Sequence, residues 1–179
     1  MVKQINWVFD PAHSEITFKV KHLMISNVKG EFKQFDVSLI SDDDKLTNAV
    51  AKASIQVASI STNNNDRDGH LKSADFFEVE KYPTIDFEST SIDVFDDENG
   101  QLKGKLTIKG ITKELSFGLE FGGISRDPWG NEKAGFTVNG SINRNDFGLT
   151  WNAALETGGV LVSETIKISA EIQFVKKSA

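Results

Sequence analysis

The sequence of 179 residues predicts an all-β fold, and three of its features support this prediction. Apolar and polar residues alternate in many stretches, which is the pattern of strands with one buried face. Clusters of Asp, Asn, Gly and Pro separate these stretches, as turns do. Only two stretches break the pattern in a way that indicates helix or irregular structure. Many alternating strands with few helices predict an antiparallel sandwich or barrel.

Eight strands are predicted. The clearest alternation covers Glu15–Lys21, Lys113–Phe121 and Thr165–Phe174. Weaker alternation predicts the other five strands, with residues 92–95 as an extension of one of them: Phe35–Ile40, Ala49–Ile60, Thr84–Thr90, Gln101–Lys109 and Ala134–Ile142. The stretch from Phe32 to Phe35 departs from strict alternation, so we expect a bulge or a register change there.

Two segments differ from this pattern. Residues 63–77 begin with cap-type residues and predict a loop followed by a short helix. Residues 143–152 predict a turn with one helical turn. The acidic run Asp42–Asp44 lacks the alternate spacing and the later bidentate Glu of a calcium loop, so it is interpreted as a solvated loop.

The composition excludes several classes of function. With no Cys, the chain has no thiol nucleophile, disulfide or Cys-based metal site. The net charge of -6, without a basic block in the sequence, argues against binding to nucleic acid or to an anionic membrane. The 13 Phe, against one Tyr and three Trp, indicate an apolar interior in which few rings carry a polar group.

The inward face predicted from the alternation mixes large Phe with small Ala and Gly. A sandwich would fill such a core, whereas an eight-stranded barrel could keep room for one small ligand. The pattern alone leaves both open. The first seven residues are not typical of a secretory signal, so we expect a single cytoplasmic domain over residues 1–179, with the periplasm as the alternative if a signal has been removed.

Five short motifs occur in order along the chain. They are residues 7–18 (WVFDPAHSEITF), residues 28–32 (VKGEF), residues 59–83 with SIST, GHLKSADFF and YP, residues 104–112 (GKLTIKGIT) and residues 140–148 (GSINRNDFG). Together they resemble the YceI-like family of polyisoprenoid-binding, lipocalin-like proteins over nearly the whole length. The resemblance implies an antiparallel eight-stranded up-and-down barrel, with a short helix near its rim and a long apolar pocket. It also makes a homodimer plausible.

The resemblance implies non-covalent binding, transport or storage of a long isoprenoid, polyprenyl or quinone-type, or of a similar fatty-acid-type lipid, with no cofactor and no stable membrane insertion. The alternation and the motifs then give the expected ligand-binding residues: Ile16, Phe18, Val20, Phe35, Val37, Ala51, Ala53, Ile55, His70, Phe76, Phe87, Gly104, Leu106, Leu115, Phe117, Leu119, Phe136, Val138, Ile142, Arg144, Ile168 and Ala170. Arg144 is expected either to meet a headgroup or to pair with a carboxylate that fastens its loop, and the second reading is favoured.

An enzyme is the main alternative. No G-x-S-x-G or H-E-x-x-H motif occurs, so no catalytic or metal-binding residue is predicted. A metal-dependent enzyme or lipid hydrolase would use His13 and His70, with Asp66 or Asp68. The favoured interpretation is structural: His13 bonds backbone, His70 orders the helix against the rim and His22 is exposed. A filled sandwich that acts as an interaction module is the further alternative.

Overall fold

The computed structural model describes residues 4–23, 25–152 and 162–178. Within these ranges it contains eleven strands, one α-helix and three short 3-10 segments. The strands are β1 (Ile5–Phe9), β2 (Glu15–His22), β3 (Ser26–Phe32), β4 (Phe35–Ser41), β5 (Val50–Gln56), β6 (Ile60–Ser61), β7 (Thr84–Val94), β8 (Asn99–Ile108), β9 (Ile111–Arg126), β10 (Glu132–Asn143) and β11 (Val162–Ser178). The helix α1 is Asn65–Lys72, and the 3-10 segments are Pro11–His13, Val57–Ser59 and Arg144–Phe147.

The strands form one closed antiparallel barrel of eight paths. Both β1 and β2 pair with β11, so they make one interrupted path. The second path is β3 with β4, since β3 pairs with β2 and β4 with β1. The third is β5 with β6. The paths β7 to β11 follow in chain order, and the pairing of β1 with β11 closes the sheet. The eight-stranded up-and-down barrel is thereby confirmed, and the filled sandwich is wrong.

Two of these paths are interrupted, and there serine hydroxyl groups accept hydrogen bonds from backbone N–H groups that would otherwise bond to a neighbouring strand. The Ser14 Oγ accepts a hydrogen bond from the Gln173 backbone N–H at 2.9 Å and donates to the Asp10 carbonyl at 2.7 Å. The Ser59 Oγ accepts from the Gln34 N–H at 3.0 Å. The break in the second path, at residues 33–34, lies where the sequence predicts an irregularity.

The two ends of the barrel differ. One end, called the helix end, carries α1, the β2–β3 turn, the β8–β9 turn and the Arg144–Phe147 segment. The opposite end is packed with apolar side chains around Trp7, which is 1% exposed and whose indole N–H donates to the Ser41 Oγ at 2.8 Å. The helix end is therefore where polar groups and the barrel interior meet.

Helix α1 is polar and begins at a defined cap. The Asn64 side chain accepts a hydrogen bond from the Arg67 N–H at 3.0 Å, and Asp66 and Asp68 occupy the first turn, where carboxylates favour a helix N-terminus. The short helix predicted within residues 63–77 is thus confirmed. In the described part of the chain, no helix has both the length and the apolar character needed to cross a bilayer.

Candidate functional site

The barrel encloses a cavity of about 390 Å³. This volume lies in the ~300–1,000 Å³ range of small-molecule pockets. Eight of the thirteen Phe line it, together with aliphatic side chains from every path of the barrel: Phe18, Phe32, Phe76, Phe77, Phe87, Phe117, Phe136 and Phe174. The three small wall residues are Ala51, Ala53 and Ala170. The interior is therefore an apolar cavity, lined almost wholly by hydrocarbon.

Most of the residues expected from the sequence to bind ligand lie in this wall. Nineteen of the expected positions, from Ile16 on β2 to Ala170 on β11, line the cavity, and the predicted facing of the strands is correct there. Phe35, Gly104 and Leu115 do not line it. Phe35 instead packs on Phe9, with ring centroids 5.3 Å apart, next to the break between β3 and β4.

Gly104 does not reach the cavity because the Phe87 ring covers it, and Leu115 lies beside it on the next strand. Gly104 is paired directly with Leu115, and a Cβ built on Gly104 would lie 2.4 Å from the Phe87 Cζ. Phe87 lines the cavity in the place of both. Gly104→Trp would therefore collide with Phe87 before it filled the cavity. A larger side chain at Ala53 would project from the wall into the cavity.

The same arrangement recurs at two other inward glycines. The Phe18 ring covers Gly30, and the Phe117 ring covers Gly140, with built Cβ contacts of 2.2 and 2.3 Å. Each of these rings lines the cavity, and neither glycine does. The sequence suggested that small residues leave gaps in the wall, and these three glycines do not. They let phenyl rings lie back against the sheet.

Polar groups reach the cavity at the helix end. The Asp68 carboxylate accepts from the Thr62 hydroxyl at 2.6 Å and from the Thr62 N–H at 2.9 Å. The Arg67 guanidinium donates from Nε to the Thr62 Oγ1 at 2.8 Å and from its other side to the Thr62 carbonyl at 2.9 Å. Arg67 is half-buried and lines the cavity, and no described carboxylate lies within ion-pair distance of it.

His70 forms the second polar element of this end. Its Nε2 lies 2.9 Å from the Asp75 Oδ2, and its ring makes edge contacts with Phe76 at 5.1 Å and Trp151 at 4.7 Å between centroids. Its side chain is 38% exposed and also lines the cavity. These contacts agree with a His70 that orders the helix against the rim. His22, expected to be exposed, is half-buried and lines the cavity from the β2–β3 side.

Arg144 is 2% exposed and fastens the segment after β10. Its guanidinium donates to four backbone carbonyls, those of Leu149 at 2.6 Å, Trp151 at 2.8 Å, Ser163 at 2.9 Å and Val162 at 3.3 Å. The expected carboxylate partner is therefore wrong, although the fastening role holds. Burial lowers the pKa of this guanidinium, with Glu164 acting in the opposite direction.

The metal-site alternative finds no support in the geometry. The His13 Nδ1 lies 2.8 Å from the Asp10 Oδ2, so the expected backbone partner of His13 is wrong. This hydrogen bond holds the pKa of Asp10 below its ordinary value. His13 does not line the cavity, whereas His70 pairs with Asp75. Within residues 4–23, 25–152 and 162–178, no group of three or more His, Asp or Glu could hold a metal ion.

Arg67, Thr62 and Trp151 are among the cavity-lining residues that the set expected from the sequence did not include. Arg67 looks like a surface residue in a polar segment, because the sequence predicts a short helix there but does not show that this helix lies over the barrel end. Thr62 lies in the SIST motif, and Trp151 ends the second irregular segment. The SIST motif and the irregular segment mark these regions in the sequence, but they do not show which of their side chains point into the barrel.

Three other proteins are similar to this chain in sequence or in fold. A UPF0312 protein of Staphylococcus epidermidis is 48% identical over 167 residues, which cover 93% of this chain and 95% of that protein. The crystal structure of a Campylobacter jejuni YceI protein superposes with a TM-score of 0.75 at 36% identity, over 88% of this chain and 90% of that one. A polyisoprenoid-binding domain from Saccharophagus degradans, implicated in plant cell wall breakdown, shares the fold with a TM-score of 0.69 at 14% identity, over 96% of this chain and 98% of that one.

The profile of the YceI-like domain matches residues 7–174, which is nearly the whole chain and includes every strand that lines the cavity. The resemblance carried by the five sequence motifs is thereby confirmed, and this chain belongs to the YceI-like family.

Proposed function

We propose that this protein binds a long apolar lipid non-covalently and carries or stores it inside the barrel. The observation that supports this most is the cavity, whose wall is almost wholly hydrocarbon from every path of the barrel, while His22, Arg67 and His70 line it at the helix end. The fold neighbour from S. degradans is described as polyisoprenoid-binding, and we extend that ligand class to this chain. The ligand is then an isoprenoid, polyprenyl or quinone-type, or a lipid of similar shape.

The headgroup of such a lipid belongs at the helix end. His22, Arg67 and His70 line the cavity there and are all partly exposed, so a polar group placed among them would keep contact with water. Arg67 has donor groups left after its bonds to Thr62, since a guanidinium carries five N–H groups. The structure therefore favours a headgroup that accepts hydrogen bonds. Arg144 is less suited, because four carbonyls already occupy it.

Binding of this kind is tight in water and reversible near a membrane. Burial of each methylene contributes about 0.8 kcal/mol relative to water. The alternative environment of such a lipid in the cell is a bilayer, where its chain is already out of water, so transfer from bilayer to barrel brings little net hydrophobic gain. Carriage and storage fit this balance better than irreversible capture. Location in the cytoplasm and pairing into a homodimer stay predictions.

Catalysis on the lipid is the second candidate, because the His70–Asp75 pair at the cavity end has the form of a base with its orienting carboxylate. Among the described residues the contacts of the His70 ring are the Asp75 carboxylate and the rings of Phe76 and Trp151, and the Ser73 hydroxyl donates to the His70 backbone carbonyl rather than to the ring. We therefore propose binding without turnover. Recovery of cleaved rather than intact lipid after incubation would favour the hydrolase.

Replacement of Ala53 by Phe tests the cavity directly. Ala53 lies between Val37 and Phe87 in the barrel wall, and all three line the cavity, so a ring there occupies ligand space. We expect Ala53→Phe to fold and to lose most bound lipid, measured by native mass spectrometry and lipid extraction. A quinone with an isoprenoid tail and palmitate serve as probes for delipidated protein.

Ser38→Phe is the matched control, since Ser38 is exposed and lies opposite Lys52, one position along from the pair of Val37 with Ala53. It should bind the probes as the parent protein does. Absence of long-chain lipid from freshly purified protein, together with no uptake after delipidation, would overturn the proposed function.

A further inference from the structure

Sheet pairing brings together lysines that are far apart in the sequence. In the register of the barrel, Lys19 on β2 lies opposite Lys29 on β3 and opposite Lys167 on β11. Side chains at directly opposite positions have Cβ atoms ~4.5–5.5 Å apart. Lys21 lies two residues further toward the β2–β3 turn on the same outer face, and all four lysines are exposed. These four residues are called the lysine row.

The lysine row is not neutralised by neighbouring carboxylates. Among the described residues, none of its members lies within 4 Å of a carboxylate oxygen. Around it on the outer face the register places Thr17, Asn27, Ser141 and Ser169, and Glu31 is the nearest acidic residue along β3. Like charges opposite each other destabilise a sheet, so this placement costs stability in a chain that carries a net charge of -6.

An exposed apolar turn adjoins the lysine row. Ile25 is 86% exposed and Leu23 is 38% exposed, on the turn that joins β2 to β3. At the base of this turn His22, Val20 and Val28 line the cavity. The most exposed aliphatic side chain among the described residues thus lies at the end of the barrel where the cavity meets its polar groups.

We propose that the helix end docks on the surface of an anionic bilayer through the β2–β3 turn and the lysine row. Leu23 and Ile25 enter the boundary between headgroups and acyl chains, and the lysines contact anionic headgroups. A basic patch combined with an apolar anchor is the combination that gives stable but reversible membrane attachment. The opening beside His22 then faces the bilayer, from which the lipid assigned under the proposed function would enter.

Charge complementarity selects this occupant. A nucleic acid would match the lysines but not the exposed Ile25, and a purely apolar partner would match Ile25 but not the lysines. The other side of the helix end carries exposed acidic groups, among them Asp66 and Asp75, which an anionic surface repels. The molecule is therefore expected to tilt with the β2–β3 turn toward the bilayer. The argument from sequence against anionic membranes rests on the absence of a basic block along the chain, and it does not consider lysines that only strand pairing brings together.

Vesicle sedimentation tests the proposal with the full chain. The expected result is binding to phosphatidylcholine vesicles that contain phosphatidylglycerol and much weaker binding to phosphatidylcholine alone. With about a fivefold loss for each lysine, the triple variant Lys19→Gln, Lys29→Gln, Lys167→Gln should bind about 100-fold more weakly. Ile25→Ser alone should also weaken binding, with little change in the salt dependence.

The matched control replaces three other exposed lysines, Lys33, Lys105 and Lys113, by Gln and so has the same net charge. It should retain parent binding. Equal loss in the control, no binding of the parent protein to anionic vesicles, or concentration-dependent self-association through the turn in ultracentrifugation would overturn the proposal.

A second readout separates this proposal from the proposed function. Lipid offered in detergent micelles needs no bilayer, so the triple variant should take up the quinone probe from micelles as the parent protein does but more slowly from anionic vesicles. Failure of both proteins to load from micelles would contradict the proposed function and leave vesicle binding as an independent result.

Discussion

At Gly104 the absence of a side chain decides where Phe87 lies. A Cβ at this position would meet the Phe87 ring at 2.4 Å and the Glu88 carbonyl oxygen at 2.5 Å. For a Cβ at Gly30 the three nearest atoms all belong to the Phe18 ring, with Cζ at 2.2 Å. The ring of a Phe can turn aside, whereas a backbone oxygen in a barrel cannot. The two glycines therefore differ in how strictly they are required.

We expect Gly104→Ala to lower the free energy of unfolding by about 1–3 kcal/mol, which is the usual cost of overpacking a buried site. Gly30→Ala should cost less than about 1 kcal/mol, because the gain from replacing Gly in a strand offsets part of the ring displacement. Urea denaturation of both variants measures the difference. Equal costs would show that the Glu88 carbonyl is not a fixed obstacle.

At the scale of elements, the segment after β10 depends on one buried cation. Arg144 begins the 3-10 segment Arg144–Phe147, and its hydrogen bonds tie Leu149 and Trp151 to the start of β11. Trp151 in turn packs against His70 and Phe76 below α1. The guanidinium thus holds in place the aromatic side chain that closes the helix end.

Arg144→Lys should lower the free energy of unfolding by ~3 kcal/mol or more, since an ammonium cannot serve four carbonyls in the plane of a guanidinium and each hydrogen bond to a charged group contributes ~1.5–3 kcal/mol. Arg126→Lys is the control. Its side chain is 69% exposed and pairs with Glu132 at 3.9 Å, and such surface pairs contribute ~0–1 kcal/mol. Thermal and urea unfolding compare the two, and similar losses would contradict the fastening role.

The elements with clean alternation were predictable from the sequence, and those that depend on neighbours were not. β1 and β3 were missed as strands, and β6 was predicted only as the end of the strand Ala49–Ile60. In β3 the inward position 30 is a glycine covered by a ring from β2, so the apolar alternation is broken there. β6 has two residues and exists because it pairs with β3. The alternation of apolar and polar residues in one segment shows only the buried face of that segment. These strands form because of the strands that pair with them, which alternation does not show.

At the scale of the whole molecule, barrel closure creates both the cavity and the surface beside it. The inward sets of residues were predicted largely correctly, because a period of two fixes facing once a strand is placed. The lysine row and the Arg67–Thr62–Asp68 cluster could not be predicted, since both depend on register or on the position of α1 over the barrel end. The sequence therefore indicates what the interior is made of better than what surrounds its opening.

Ligand removal should be visible in the stability of the whole molecule. A ligand that binds the folded state alone raises the free energy of unfolding by about 2.7 kcal/mol at a concentration of 100 Kd. We expect the Tm of delipidated protein to rise with added quinone probe, and that of Ala53→Phe to stay constant. A scan of Tm against probe concentration makes this comparison, and an unchanged Tm in the parent protein would contradict binding inside the barrel.

The rings that lie over Gly30, Gly104 and Gly140 also affect the width of the cavity inside the barrel. Each ring occupies the space that a Cβ on its glycine would take, so we expect a rotamer that lifts the ring off the glycine to narrow the cavity. Such a turn of a side chain breaks no hydrogen bond between strands. We therefore expect the cavity to adjust to thin and thick chains through these three side chains, and to select its ligand by girth rather than by chemical pattern.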